Sequence, residues 1–248
     1  MKVTLDTNIL IRAVMRDDAK QGQAAAKLLK DAERAARIAF EESEDAQPAR
    51  ACYIRLMVAL AKVSVRMSVR DFLAWEPGDG LRYELVDGEP RAMAPAGPVH
   101  GLLQGRLATR ITEHLDRNKP ACSLVVAPGV IPQLFSAHNV REPDLGVTCS
   151  PVRLGQATLT DPVLLIEILS PSNQADTWSN VWAYTSIPSV REILVLHSER
   201  VAAEVLRRSA QGAWPEQTEE MLQGDLMLTS IDFRTPLTDL YAGTGVAD

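Results

Sequence analysis

Long apolar runs are missing from this sequence: nowhere do roughly 18 apolar residues follow one another, which excludes an ordinary membrane-spanning helix. The opening Met1-Lys2-Val3-Thr4-Leu5-Asp6 lacks the charged-then-apolar layout of a secretory signal, so a cytoplasmic location and no membrane partner are expected. Cysteine is scarce. Cys52, Cys122 and Cys149 are odd in number, far apart and without Cys-x-x-Cys or Cys/His spacing, which argues against zinc and predicts reduced, mostly buried thiols. Excess positive charge is absent as well. A net charge of -6 excludes an extended basic surface that would hold nucleic acid by neutralising phosphates, so any such contact must be local. Residues 1–66 hold twelve Lys/Arg against nine Asp/Glu, leaving fourteen against twenty-three in the remainder, so the acidity belongs to the second part. Most surplus carboxylates simply face water, but such a surplus also suits a site that needs a divalent cation before it can approach a phosphate.

What is present falls into two stretches. Residues 1–66 form an N-terminal extension, mainly helical, with a short apolar run at Val3 to Leu5 and no strand set to complete a domain. At Met67 the texture changes, and residues 67–248 read as the working domain. Ser68 can cap a short helix with Phe72, Leu73 and Trp75 as its apolar face. Tyr83 to Val86 leads into Asp87-Gly88, a dipeptide suited to a tight hairpin with positive φ. Leu102, Leu103, Leu107, Ile111 and Leu115 recur at helical spacing over His100 to Leu115. Ser123 to Ile131, Arg141 to Val147 and Val163 to Leu169 are short runs rich in Val, Ile and Leu and read as strands of one central sheet. A helix over Asp176 to Ser186, a hairpin pair at Val190 to His197 and Val201 to Arg207, and a terminal turn or helix at Pro236 to Tyr241 complete an α/β order.

Two acidic residues interrupt this apolar pattern. In Pro162-Val163-Leu164-Leu165-Ile166-Glu167-Ile168-Leu169 an unpaired buried charge would be expensive, so Glu167 needs a partner, a shifted pKa or an open edge. Asp144 follows Pro143, which rigidifies its approach. Two carboxylates on neighbouring strands repel unless a hard cation such as magnesium or manganese sits between them. Each residue alone has a plainer reading, Glu167 facing outward at a strand end and Pro143-Asp144 as a turn.

Pro143-Asp144, a spacer, and Glu167-Ile168-Leu169 resemble the PD-(D/E)xK nuclease superfamily. Tyr83 to Glu89, Pro95 to His100, Arg141 to Val147, and Glu167-Ile168-Leu169-Ser170-Pro171-Ser172 followed by Asp176 and Tyr184 are similar to the Uma-two type restriction-endonuclease-like family. The resemblance spans about Met67 to Tyr241. It implies a restriction-endonuclease-like central mixed sheet flanked by helices, with Asp144, Glu167 and the Ile168 carbonyl meeting one or two Mg or Mn ions. The implied activity is phosphodiester hydrolysis in DNA, with Glu84 as a further ligand or base and His100 donating to a phosphate or orienting a water. A homodimer, cutting two strands, is expected with it.

The chain departs from that pattern where the lysine of the motif would stand, because the position is Leu169. The compensating lysine of the following helix is replaced by Asn180, which can hydrogen-bond a water or phosphate. No lysine occurs after Lys119, so cationic assistance would come from Arg141 or from Lys119 folding back. A catalytically impaired nucleic-acid-binding module of the same fold is therefore the alternative reading, and a purely structural protein a third. Trp178, Trp182 and Tyr184 read as packing their helix onto the sheet, with base stacking as the functional alternative. Finally, residues 1–30, through Val3 to Arg12, Asp17-Asp18 and Gln23 to Leu29, with Asp6 as a would-be metal carboxylate, resemble the start of a PIN-domain ribonuclease that cannot complete its site before Met67.

Overall fold

A computed structural model describes residues 66–246, and the chain divides into two compact units between Val65 and Arg66. The PIN-like resemblance, Cys52 and the rest of residues 1–65 lie outside the described residues. The second unit begins with the short helix α1 (Val69–Leu73), whose N-cap Ser68 accepts from the Asp71 backbone N–H. The hairpin of β1 (Tyr83–Val86) and β2 (Glu89–Ala92) follows. Its turn residues Asp87 and Gly88 both have positive φ, 52° and 85°, the geometry that matches a two-residue connection to the twist of its strands.

Helix α2 (Pro98–Asn118) buries Leu103, Leu107, Ile111 and Leu115 along one stripe. The central sheet has six strands in the order β3-β4-β5-β6-β7-β8: Ser123–Val126, Leu145–Thr148, Pro162–Leu169, Glu192–His197, Ala203–Arg207 and Glu219–Met221. β5 pairs antiparallel with β4 and parallel with β6, so the sheet is mixed. The β5–β6 crossover carries helix α3 (Gln174–Tyr184). A second hairpin, β9 (Asp225–Leu228) with β10 (Phe233–Pro236), and helix α4 (Leu237–Tyr241) close the chain.

β5 reads as an almost unbroken apolar run because both of its faces are covered. Leu164, Ile166 and Ile168 join the cluster containing the α2 stripe, while Leu165 and Leu169 join Val181 and Tyr184 of α3 on the other face. Glu167 falls in the second set by its alternation along the strand. No described helix is long and apolar enough to cross a membrane.

Several sequence expectations change in detail. Arg141 does not begin a strand; it makes one isolated bridge with Val130, and β4 starts at Leu145. The cysteines are not all reduced thiols. Ser123 pairs with Thr148, so the next residues outward, Cys122 and Cys149, face each other with Cα atoms 3.9 Å apart and form a disulfide. Trp182 does not pack inward but is 46% exposed, while Tyr184 is fully buried and Trp178 partly so.

Candidate active site

The site is assembled where β4 and β5 meet β1, the start of α2 and the face of α3 that carries Asn180 and Tyr184. Leu145 faces Ile166 in the antiparallel register, so one residue further Asp144 stands against Glu167. Residues directly opposed in an antiparallel pair share a face, so the two carboxylates converge. The Ile168 N–H reinforces this by donating to Asp144 Oδ2 at 2.7 Å. On its other oxygen, Asp144 receives His100 Nε2 of α2 at 3.1 Å. Gln104, one helical turn beyond His100, donates through Nε2 to the Asp144 carbonyl at 2.9 Å.

Glu167 is 7% exposed, and Tyr184 donates its hydroxyl to Oε1 at 2.6 Å. Glu84 of β1 is the second buried carboxylate of the site, beside the half-buried Asp144. Its oxygens accept from Asn180 Nδ2 at 2.9 and 3.2 Å and from the Glu142 N–H at 2.7 Å. Asp144, Glu167, Glu84 and Asn180 line one cavity of about 830 Å³, together with Arg141, Glu142, Asp176 and the first residues of α2.

Burial is the largest influence on both inner carboxyls. It drives Glu167 well above the usual carboxylate range, Asp144 and Glu84 add repulsion, and the hydrogen bonds from Tyr184 and Asn180 oppose the shift. Glu84 is pushed up to about 7 by burial, against the Asn180 hydrogen bond and the Arg141 charge. The Tyr184 phenol, buried beside these carboxylates, is likewise raised.

Among the described residues, no group of three or more His, Cys, Asp or Glu side chains is placed to hold a metal ion by itself. The donors that do converge are carboxylate oxygens in a cavity open enough for water. That arrangement suits a small hard cation such as Mg, which keeps several waters and takes only one or two carboxylates. Asp144 and Glu84 both oppose ionisation of Glu167, the kind of repulsion such a cation relieves.

All five residues singled out as catalytic candidates, Asp144, Glu167, Glu84, His100 and Asn180, border this cavity. Ile168 contributes its N–H to Asp144. Lys119 does not fold back; it caps the far end of α2 and binds Asp232 at 2.7 Å, because a helix of 21 residues carries it about 30 Å from His100. Tyr184, expected to pack its helix or to stack on bases, instead holds Glu167; it stands four residues after Asn180 on the same face of α3, and that spacing is a usable signal. Gln104, four after His100, carried the same signal.

The profile described as "Uma2: Putative restriction endonuclease" matches residues 69–234, more than half of the chain. The chain belongs to the Uma2 family. Another match is "Uncharacterized protein slr1290" of Synechocystis sp. (strain ATCC 27184 / PCC 6803 / Kazusa), 29% identical over 151 residues, or 60% of this chain and 78% of that protein. Among solved structures, the Uma2 unit resembles "a putative nuclease belonging to DUF820 from Anabaena variabilis ATCC 29413". That likeness has a TM-score of 0.58 at 16% identity, covers 72% of this chain and 99% of the other, and concerns the fold alone.

Proposed function

We propose that this Uma2 protein is a divalent-cation-dependent endonuclease that hydrolyses phosphodiester bonds in DNA. The observation that carries the reading is the convergence of Asp144 and Glu167 on one face of the β4–β5 pair, inside a cavity that also holds Glu84. Asp144 and Glu167 would hold Mg or Mn, with the Ile168 carbonyl as a further donor. When bound, the ion lowers the pKa of a water and offsets charge on the phosphate and the leaving oxygen.

The remaining steps belong to side chains of this protein. His100 fixes one oxygen of Asp144 and the Ile168 N–H fixes the other, so the carboxylate keeps one orientation. Tyr184 does the same for Glu167. Glu84, with a pKa of about 7, is matched to accept a proton from an attacking water near neutral pH. Asn180 positions Glu84 rather than standing in as a cation, since its amide is hydrogen-bonded to both Glu84 oxygens.

That last contact also favours a second reading, an impaired nucleic-acid-binding module, because no lysine among the described residues lines the cavity. Purified protein, plasmid and manganese separate the two. Nicking that disappears in Asp144→Ala and Glu167→Gln, with at least a hundredfold loss, supports the enzyme. Binding without nicking supports the module, and equal nicking by the variants traces the activity to contamination. A homodimer is proposed as the assembly that cuts both strands, and a monomeric mass by light scattering at working concentration removes that proposal.

A further inference from the structure

Arg141 is 6% exposed and lines the cavity, yet its guanidinium makes no hydrogen bond or ion pair with any described residue. Its Nε is fully shielded from solvent and has no acceptor. The carboxylate whose charge it feels, Glu84, is already engaged: its oxygens accept from Asn180 and from the Glu142 N–H. The other acidic groups nearby are also committed, Glu142 to Arg82 and Asp144 to His100 and Ile168.

Outside the cavity, the one buried charged side chain among the described residues is matched. Glu192, 1% exposed, accepts from Arg207 Nε at 2.8 Å, from the Ser230 N–H at 3.0 Å and hydroxyl at 2.8 Å, and from the Thr229 N–H at 3.2 Å. A buried, unmatched guanidinium in a cavity is a fork of donors without its acceptor. The backbone fixes the point from which that side chain springs, since Arg141 and Val130 exchange both N–H···O bonds, at 2.8 and 2.9 Å.

A second element bordering the same cavity lacks an anion. Helix α2 begins at Gly97, which supplies no capping side chain, and its first turn carries no acidic residue. Gly97, Pro98, Val99 and His100 all line the cavity, so the unpaired N–H groups and positive end of a 21-residue helix border it. His100 Nδ1, also buried, has no partner either.

We propose that Arg141 and the uncapped start of α2 form a phosphate-binding subsite that receives non-bridging oxygens of the substrate phosphodiester. The subsite rests on the nuclease reading for the identity of its natural ligand, but its binding of phosphate can be tested without turnover. The planar guanidinium can donate two parallel hydrogen bonds to a tetrahedral anion, while the helix end adds an attraction that needs no side chain. Positive charge thereby enters the site through a rigid planar fork, which suits binding and positioning.

The first probe is inorganic phosphate, titrated in magnesium buffer into the full-length wild-type protein with the arginine Nε–Hε resonances observed by NMR. The Arg141 resonance, assigned by its absence in Arg141→Lys, should shift saturably; no movement up to saturating phosphate would overturn the subsite, and this arm needs no variant beyond the assignment. The second probe is a labelled duplex oligonucleotide, measured by anisotropy in calcium. Arg141→Gln should weaken binding at least tenfold and reduce the log K against log salt slope by about 0.9, the loss of one neutralised phosphate. An unchanged slope and affinity in a folded Arg141→Gln would also overturn it. Arg141-dependent phosphate binding without any duplex binding keeps the subsite and removes DNA as the substrate.

Discussion

Glu84 sits where a carboxyl group can be persuaded either way. In the unfolded chain it titrates at its ordinary 4.5, and in the fold burial raises it to about 7. Below the lower value both states are protonated and the group costs the fold nothing. As pH rises through the window the unfolded chain releases its proton first, so stability falls and then levels off above about pH 7. The gap corresponds to on the order of 3 kcal/mol. Glu84→Gln, which keeps an oxygen to accept from Asn180 or Glu142, is therefore expected to flatten the pH dependence and to be more stable than wild type at pH 8 in chelator. Urea unfolding at pH 5 and pH 8 measures this, and a variant with the same slope as wild type would remove burial of Glu84 as its cause. At this scale much was legible in the sequence. Asp144 and Glu167 announced themselves by interrupting apolar runs, whereas the commitment of Asn180 to Glu84 depends on β1 and α3 meeting in space, which no local spacing encodes.

Among the elements, β4 decides where Asp144 points, and its tightest position is Gly146. A Cβ there would lie 2.8 Å from Leu159 Cδ2 and 2.9 Å from a Pro128 ring carbon, both closer than packed atoms allow. Gly146→Ala is expected to cost about 1–3 kcal/mol by overpacking and to lower nicking by displacing Asp144 two residues upstream. Chemical denaturation checks the first effect; a variant as stable as wild type would show that Leu159 and Pro128 yield freely. The longer periodic elements were readable: α2 from its apolar stripe, β5 from its run of Val, Leu and Ile, and the first hairpin from Asp87-Gly88. β8 to β10 were not assigned, for different reasons. Glu219–Met221 is three residues long and carries no burial pattern, whereas Leu226, Leu228, Phe233 and Thr235 alternate as buried residues and did offer a signal of period two. The Cys122–Cys149 bond escaped because it follows from the β3–β4 register, and cysteines separated by 27 residues give no local hint of it.

For the described unit as a whole, the governing fact is that β5 lies inside the sheet. It has hydrogen-bonded neighbours at both edges and a buried apolar cluster over each face. Backbone so enclosed opens only when the structure opens globally, so the β5 and β6 amides should be among the slowest to exchange with deuterium. Glu167 is carried by that strand, and Tyr184, its partner, is fully buried beside it. Heating should therefore abolish nicking and native circular dichroism at one temperature, and activity vanishing several degrees earlier would mean that a looser element governs the site. A partly inactivated sample should then be a blend of fully competent and wholly inert molecules, with no enfeebled population between them.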